Sequence, residues 1–258
     1  MSELVKTCPG CRSNTQPDKK FCTECGFNIE ELREKKRKKI RIEELKQEKS
    51  IALKNCYTLM ILSALPLIPM LIANRMEAYE NETMIICDWI GAAVIVGFIL
   101  CKGRSFKEFF QPSGEVMKWT AVGLLVCAGM LVLNFSYHHL LLSFFNVKEE
   151  SLTSGMISKG MSIAAVFFYI SVMPGIWEEF LFRGLLLKEL EIIVTPIEAA
   201  ILSSVVFALF HMTIFSIPYL ALFGYLLVIL KRESGSLLPG IILHTFHNAV
   251  IVASEVWS

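Results

Sequence analysis

Three short stretches of this chain place charged or titratable side chains in apolar surroundings. The sequence EEFLFR begins at residue 178, FALFH at residue 207 and HTFHN at residue 244. A carboxylate in an apolar wall binds a proton more readily than one in water, and a neighbouring carboxylate strengthens the effect. Such a group can take a proton from water near neutral pH and return it to a leaving amine. The three stretches therefore indicate proton-transfer chemistry.

Helical spacing decides which of these side chains lie together. Glu179 and Arg183 are four residues apart on one helical face, which predicts an ion pair that keeps the carboxylate charged. His244 and Asn248 share a face for the same reason, and His247 lies about 60° from His244 on the helical wheel. A charge in the middle of a bilayer costs about 2.5–3.5 kcal/mol. Because coincidence is a poor explanation for so many polar groups, the set indicates a function.

The composition predicts a membrane protein. The chain has 258 residues, 54% of them hydrophobic, a mean hydropathy of +0.54 and a net charge of +1. A helix needs about 20 apolar residues to span a bilayer. About eight hydrophobic segments follow residue 50, near 52–72, 85–102, 119–143, 161–175, 176–193, 196–212, 216–230 and 237–254. We expect an all-α polytopic protein of about eight transmembrane helices.

The connections between these segments predict an orientation. The polar N-terminus lacks the apolar core of a secretory signal, so we expect it to stay in the cytosol. The first connection, NRMEAYENE, is acidic and the second, CKGRSFKEF, is basic, which places the first outside and the second inside. Continuing the count places the basic stretch at 230–234 outside, against the positive-inside trend.

A short helical hairpin is predicted in the part of the chain that contains the EEFLFR and FALFH stretches. Pro174-Gly175 interrupts the preceding segment, so Glu178 and Glu179 are expected in the first turn of a new helix. Thr195-Pro-Ile-Glu198 matches a capping box with proline at the first helical position, which predicts a tight turn near 193–195. The second arm then returns His211 to the level of Glu178.

Two polar segments precede the membrane region. Residues 1–28 contain two CxxC pairs, which suit a tetrahedral four-thiolate zinc site covered by Phe21 and Phe27. The alternatives are disulfides or a redox pair. Residues 29–50 form a charged helix, either a solvated linker or a basic stripe on anionic lipid. The predicted zinc ligands are Cys8, Cys11, Cys22 and Cys25.

The three motifs together resemble EExxxR, FxxxH and HxxxN of the CPBP family, the CAAX-protease and bacteriocin-processing intramembrane proteases. The resemblance covers residues 160–254, within a membrane domain at 51–258 that follows the ribbon at 1–28 and the linker at 29–50. It implies a glutamate-dependent peptidase with no metal or other cofactor at the catalytic site. The zinc of the ribbon is expected to be structural, because four thiolates leave no open coordination position.

The resemblance implies that Glu178 activates the water, and it leaves open which of His211 and His244 has which role. By its chemistry His211 is able to share in this activation, and hydrogen bonds from His244 and Asn248 suit stabilisation of the oxyanion. The supporting residues are Glu179, Arg183 and Phe207.

We expect an intramembrane endopeptidase that cuts a peptide or membrane-protein substrate near the cytosolic leaflet. One alternative is a zinc metalloprotease that uses Glu178, His211 and His244 as ligands. Another is a non-enzymatic bacteriocin-immunity or scaffold protein. The ribbon is a possible docking site for a protein partner, no nucleic acid is expected, and the arrangement of ribbon and membrane domain looks bacterial. His138-His139 and the four cysteines of the membrane segments are expected to be structural.

Overall fold

The computed structural model describes residues 5–16, 18–69, 72, 81–111, 114–145 and 152–257. Within these ranges the chain folds into eight helices and short 3-10 turns, and the only β structure is two isolated bridges. The chain forms two compact units, Met1–Ala52 and Leu53–Ser258. Helix α1, Ile29–Ala64, contains the boundary between them.

The first unit repeats one turn twice. In each CxxC pair, the N–H of the first cysteine donates to the carbonyl five residues later, and its own carbonyl accepts from the N–H four residues later, at 2.8–2.9 Å. The residue at this fourth position has a left-handed backbone, with φ of 61° at Arg12 and 72° at Gly26. Each turn is closed at its base by one isolated bridge, Thr7 with Asn14 in the first turn and Phe21 with Asn28 in the second. Local turns thus bring the two cysteine pairs together.

A small buried cluster supports the ribbon. It contains Val5, Ile29 and two of the cysteines, with Leu32 packed against it. Arg33 is also buried, and its guanidinium donates to the carbonyls of Lys19 at 2.8 Å and Gln16 at 2.6 Å. The Phe21 and Phe27 side chains are 56% and 40% exposed, so their covering of the ion stays a prediction. The hydrogen bonds from Arg33 to two backbone carbonyls tie the start of α1 to this unit.

The second unit consists of apolar helices and begins within α1, whose residues Cys56 and Leu59 belong to its main core. Its further helices are α2 (Asn81–Cys101), α3 (Gly114–Phe145), the short α4 (Leu152–Ser158), α5 (Ile163–Ile193), α6 (Pro196–Phe210), α7 (Ile217–Ser234) and α8 (Leu238–Trp257). Among the described residues, five helical stretches are long and apolar enough to cross a membrane, and α6 is a shorter apolar helix. The prediction of an all-α polytopic membrane protein is confirmed.

Helix α5 is one continuous run of 31 residues, so the predicted break at Pro174-Gly175 is wrong. A proline inside an α-helix removes one hydrogen bond and clashes with the carbonyl four residues earlier. Here a π-helical stretch, Phe168–Val172, precedes it and widens the turn. The two predicted segments 161–175 and 176–193 are therefore one helix, and Glu178 and Glu179 lie near its middle instead of in a first turn.

The predicted hairpin is present after this long helix. The Thr195 hydroxyl caps the N–H of Glu198, the Glu198 carboxylate accepts the N–H of Thr195 at 2.8 Å, and Pro196 stands at the start of α6. The stretch from Glu178 to Ile193 contains sixteen residues, and the stretch from Pro196 to Phe210 contains fifteen. At 1.5 Å per residue both arms are about 22 Å long. Helix α6 therefore ends at the depth of Glu178.

Ion pairs show which helix ends share a membrane face. Arg104, after α2, pairs with Glu189 near the end of α5 at 3.0 Å. Arg232, at the end of α7, pairs with Glu191 at 2.7 Å and donates to the carbonyl of Pro196. The basic stretches at 102–104 and 230–234 thus lie on one face, and the expectation that 230–234 lies on the opposite one is wrong. The cause is the missing break in α5, which changes the direction of every later helix, and the conflict with the positive-inside trend disappears.

Candidate active site

A second π-helical stretch, Glu179–Leu186, carries the buried charges of α5. Arg183 donates to Oε1 of Glu179 at 2.9 Å, and both side chains are fully buried. The predicted pair between these residues is therefore present. His244 of α8 places Nδ1 3.3 Å from the same oxygen. One carboxylate oxygen of Glu179 thus holds two donors from two helices.

Glu178 lies on the other side of the same imidazole. Its Oε2 is 3.9 Å from Nε2 of His244 and has no hydrogen-bond partner among the described residues. The Glu178 side chain is 30% exposed, whereas that of Glu179 is not exposed at all. The adjacent glutamates therefore differ: Glu179 is held as a structural anion, and Glu178 is open to a cavity.

An aromatic wall surrounds these charges. The Arg183 guanidinium lies 4.3 Å from the ring centroid of Phe207 and donates to the carbonyl of Gly224 at 3.0 Å. The Phe207 ring in turn makes edge contacts with His211 and His244, at centroid distances of 4.8 and 5.7 Å. Phe207 is fully buried. The predicted supporting residues are thus in direct contact with the predicted catalytic ones.

Three glycines allow this packing: Gly224 and Gly240, which our sequence analysis did not select, and Gly175, which it interprets as part of a helix break. A Cβ on Gly240 would lie 2.8 Å from Oε2 of Glu179, and one on Gly224 would lie 3.1 Å from a terminal nitrogen of Arg183. A Cβ on Gly175 would lie 2.2 Å from Oγ1 of Thr245. The signal was present, because an isolated glycine in an apolar helix often marks a close approach.

A cavity of about 420 Å³ lies beside Glu178. Its polar lining side chains come from α2, α3, α5, α7, α8 and the turn after α6: Asp88, Asn134, His138, Tyr169, Glu178, His211, Thr213, Ser216, Tyr219, His247 and Asn248. A smaller cavity of about 150 Å³ shares Asp88, Pro174 and Glu178 with it and is otherwise mainly apolar. Three of the four predicted catalytic residues line the larger cavity. His244 is not among the lining residues and lies behind Glu178.

Two of the lining residues have defined polar contacts. Nδ1 of His211 lies 3.0 Å from the carbonyl of Phe207, at the end of α6. Nδ2 of Asn248 donates to the carbonyl of Ile170 at 3.2 Å. That carbonyl lacks its α-helical donor because the residue four positions later, Pro174, has no N–H. Asn248 thus satisfies a group that the proline leaves free, and α8 is fixed to α5 at this level.

His247 and Tyr219 form a further buried chain that leads to Asn248. Nε2 of His247 lies 2.5 Å from the Tyr219 hydroxyl, and Nδ1 lies 3.3 Å from Oδ1 of Asn248. The His247 ring packs on Phe223 at a centroid distance of 4.5 Å. Sequence spacing left the part played by His247 open and gave no reason to select Tyr219, because a tyrosine in an apolar helix is unremarkable until its partner is known.

His138 also lines the larger cavity, so the expectation that it is only a structural residue apart from the site is wrong. Helix α3 begins at the basic face and reaches the level of the 3-10 turn Ile214–Ser216, where Tyr137 donates to the carbonyl of Phe215 at 2.7 Å. Of the membrane cysteines, Cys56 and Cys127 are buried in the main core, whereas Cys87 lines the smaller cavity.

The ribbon cysteines fit a tetrahedral metal ion. Their four sulfur atoms lie within 4.8 Å of one another, with closest pairs of 3.5 and 3.6 Å. The Ser13 hydroxyl and the N–H groups of Glu24 and Cys25 lower the pKa of Cys22 to about 6, which favours the thiolate that binds a metal. Within the described ranges, these cysteines are the only set of three or more His, Cys, Asp or Glu residues close enough to share one ion.

Comparison with known proteins supports the resemblance inferred from the three motifs. Residues 160–250 match the family described as Rce1-like, type II CAAX prenyl endopeptidase Rce1-like, over somewhat more than a third of the chain. No curated protein and no solved structure matches. The matched residues contain all three motifs and helices α5 to α7 with most of α8. Through this region the chain is similar to the Rce1-like, type II CAAX endopeptidase family, which supports the resemblance to the CPBP family.

Proposed function

We propose that the chain is an intramembrane endopeptidase in which Glu178 activates a water molecule. The observation that carries the proposal is the difference between the two adjacent glutamates. Glu179 is fully buried and holds Arg183 and His244, whereas Glu178 faces a cavity of about 420 Å³ with an unpartnered oxygen. A general base must reach its water without a competing strong partner, and Glu178 meets that condition.

The reaction follows from these groups. Glu178 takes a proton from water while the water oxygen attacks the carbonyl carbon of the scissile peptide bond. The carbonyl oxygen becomes an oxyanion, and the second N–H of the Asn248 amide faces the cavity as its donor. The C–N bond then breaks, and the proton passes to the leaving nitrogen. The products are a new carboxyl group and a new amine.

His244 acts as a positioning residue in this scheme. When its Nδ1–H donates to Glu179, its Nε2 and Oε2 of Glu178 face each other at 3.9 Å and compete for one proton. Arg183 neutralises Glu179. A proton that Glu178 takes from water therefore changes the net charge of the pocket only by neutralising Glu178 itself. His244 can therefore orient Glu178 and stabilise its protonated form, while His211 and Asn248 contact the reacting groups from the cavity.

The proposal extends to the surroundings of the site. The ribbon holds zinc, the basic face of the membrane domain lies toward the cytosol as the positive-inside trend requires, and the substrate is a peptide or membrane protein that enters from the bilayer. The proposed chemistry is the same whether the substrate is a CAAX-type protein or another membrane-bound peptide.

Glu178→Gln tests the proposal in reconstituted protein, with product peptides identified by mass spectrometry. General-base catalysis contributes about 10²–10⁴-fold, so cleavage should fall by that factor. Glu191→Gln is the matched control, because it removes a carboxylate from the exposed end of the same helix. Full cleavage by Glu178→Gln would overturn the assignment.

The same assay separates the alternatives. Loss of cleavage in a chelator, under conditions in which the ribbon keeps its metal, would favour a zinc-dependent protease. A lack of cleavage by the wild-type protein across membrane-anchored peptides, with unchanged stability in Glu178→Gln, would favour a scaffold. Cleavage that persists in chelator and disappears in Glu178→Gln is the result expected here.

A further inference from the structure

Asp88 is an acidic residue in the middle of an apolar helix, outside the region that matches the family. It lies on α2, which is among the five helices able to span a membrane. Asp88 lines both cavities, and in both it stands beside Glu178. The motifs do not include it, and the mechanism above does not use it. A carboxyl group in such a helix costs about 2.5–3.5 kcal/mol on insertion scales, so it requires an explanation.

Asp88 has no counter-ion among the residues that the structure describes. None of them makes a hydrogen bond or ion pair with it, and neither cavity is lined by a lysine or an arginine. This contrasts with Glu179, which has Arg183 at 2.9 Å, and with Glu189, which has Arg104 at 3.0 Å. Buried charges in proteins are normally paired, and these two buried carboxylates follow the rule. Asp88 is half-buried, and like Glu178 it faces a cavity instead of a basic side chain.

We propose that Asp88 binds a positively charged group of the substrate, a lysine or arginine side chain or a free amino terminus close to the scissile bond. This inference rests on the proposed peptidase function and names the class of substrate. The cavity of about 420 Å³ lies in the size range of ligand pockets. While the cavity holds no cation, the acidic groups of Asp88 and Glu178 on its wall repel each other, and a bound cation relieves that repulsion. A neutral substrate residue in the same place does not relieve it.

The same arrangement links recognition to catalysis. A cation between Asp88 and Glu178 favours the ionised form of both carboxyl groups, because an opposite charge nearby stabilises a carboxylate. Glu178 acts as a base only when ionised. A substrate with the correct charge therefore converts the base to its active form, whereas a neutral analogue leaves the two acids to share protons. The expected effect is on kcat as well as on KM.

The experiment uses full-length protein in vesicles and pairs of membrane-anchored peptides. Each pair differs at one position near the cleaved bond, with lysine in one member and glutamine in the other. A charge-assisted hydrogen bond in a buried site changes kcat/KM by about 10- to 100-fold, so wild-type protein should prefer the lysine peptide by that factor. In Asp88→Asn the preference should fall to about one, with the loss confined to the lysine peptide.

Glu82→Gln is the matched control, because it removes a carboxylate from the exposed first turn of the same helix. It should keep the wild-type preference. Wild-type cleavage without any preference for a cationic residue at any position would overturn the role of Asp88 and leave the peptidase proposal intact. Equal loss of lysine and glutamine peptides in Asp88→Asn would also overturn it. A wild-type protein that cleaves no peptide would overturn the proposed function, and this inference with it.

Discussion

The ribbon and the membrane site assemble their polar groups in different ways. In the ribbon, four sulfur atoms come together through two copies of the same turn, and the whole ligand set lies within residues 8–25. In the membrane site, His244 and Glu179 are 65 residues apart along the chain, and Asn248 and Ile170 are 78 apart. The ribbon therefore depends on local backbone geometry and a metal ion, and the membrane site depends on how closely four helices approach.

This difference also separates what each region can tolerate. A metal ion compensates for imperfect local packing, because in a small module the free energy of metal binding contributes directly to the free energy of folding. Among the residues described, the membrane site contains no set of three ligands close enough to share one ion. Its geometry rests on glycines at helix contacts and on two π-helical stretches of α5. Removing one ligand should therefore destroy the ribbon, whereas adding one methyl group should damage the membrane site.

The largest expected effect is on the ribbon. Cys22→Ser removes one of four ligands from a module that cannot fold on apolar burial alone, so bound zinc should fall from one per chain to none. Zinc content measured on purified full-length protein checks this, together with amide exchange over residues 5–52. Cys101→Ser, an exposed cysteine at the end of α2, should keep one zinc. Retention of zinc by Cys22→Ser would show that the four cysteines do not form the metal site.

The second effect is on helix approach in the membrane site. In Gly240→Ala the new Cβ would lie 2.8 Å from Oε2 of Glu179 and 3.5 Å from its Cδ, so the carboxylate must move away from Arg183 and His244. A misplacement of about 1 Å in an active site costs about 100-fold in rate, and peptide cleavage should fall by that order.

Gly129→Ala provides the control for this change. Gly129 lies within α3 and has nothing within 4 Å of its added Cβ. Alanine there should leave cleavage unchanged and raise stability by up to about 1 kcal/mol, because glycine is a poor helix former. If both alanine variants cleave at the wild-type rate, the close approach at Gly240 does not position Glu179.

The same contrast explains how much could be predicted from the sequence. The ribbon ligands follow from spacing alone, since two CxxC pairs can hardly bind a metal in another way. The hairpin after Ile193 follows from a local signal, the Thr195 to Glu198 capping box. The family resemblance follows from three local motifs. In each case the information lies within a few residues of the feature it predicts.

Features that depend on long-range packing were not predicted. The residue type predicts a break at Pro174, but a π-helical turn before it and the Asn248 side chain from α8 accommodate the missing N–H. The predicted break put Glu178 in a first helical turn, whereas Glu178 lies near the middle of α5 and shares a cavity with His138. Asp88 and Tyr219 gained significance only from the cavity that α2, α5, α7 and α8 enclose together. None of these contacts has a signature in its own stretch of chain.

The smallest expected effect sharpens the comparison within the membrane site. Tyr219→Phe removes the hydroxyl that lies 2.5 Å from Nε2 of His247, and His247 in turn contacts Oδ1 of Asn248 at 3.3 Å. With Nδ1–H of His247 directed at Oδ1, the amide of Asn248 keeps its Nδ2 toward Ile170 and the cavity. Loss of the hydroxyl frees the imidazole to change its tautomer and the amide to turn. One hydrogen bond of this kind contributes about 0.5–1.5 kcal/mol, so kcat should fall about 3- to 10-fold with little change in KM.

Tyr137→Phe is the matched variant, because it removes a tyrosine hydroxyl that donates to the carbonyl of Phe215 at 2.7 Å and contacts neither His247 nor Asn248. Both variants should lose a similar amount of thermal stability in detergent, but only Tyr219→Phe should lose activity. Steady-state cleavage of one membrane-anchored peptide by the two variants measures the difference. Equal kcat values would mean that the Tyr219–His247 pair only packs α7 against α8. A fall in kcat specific to Tyr219→Phe would show that the orientation of Asn248 is set from two helices, and that contacts remote in sequence fix the donor geometry of the site.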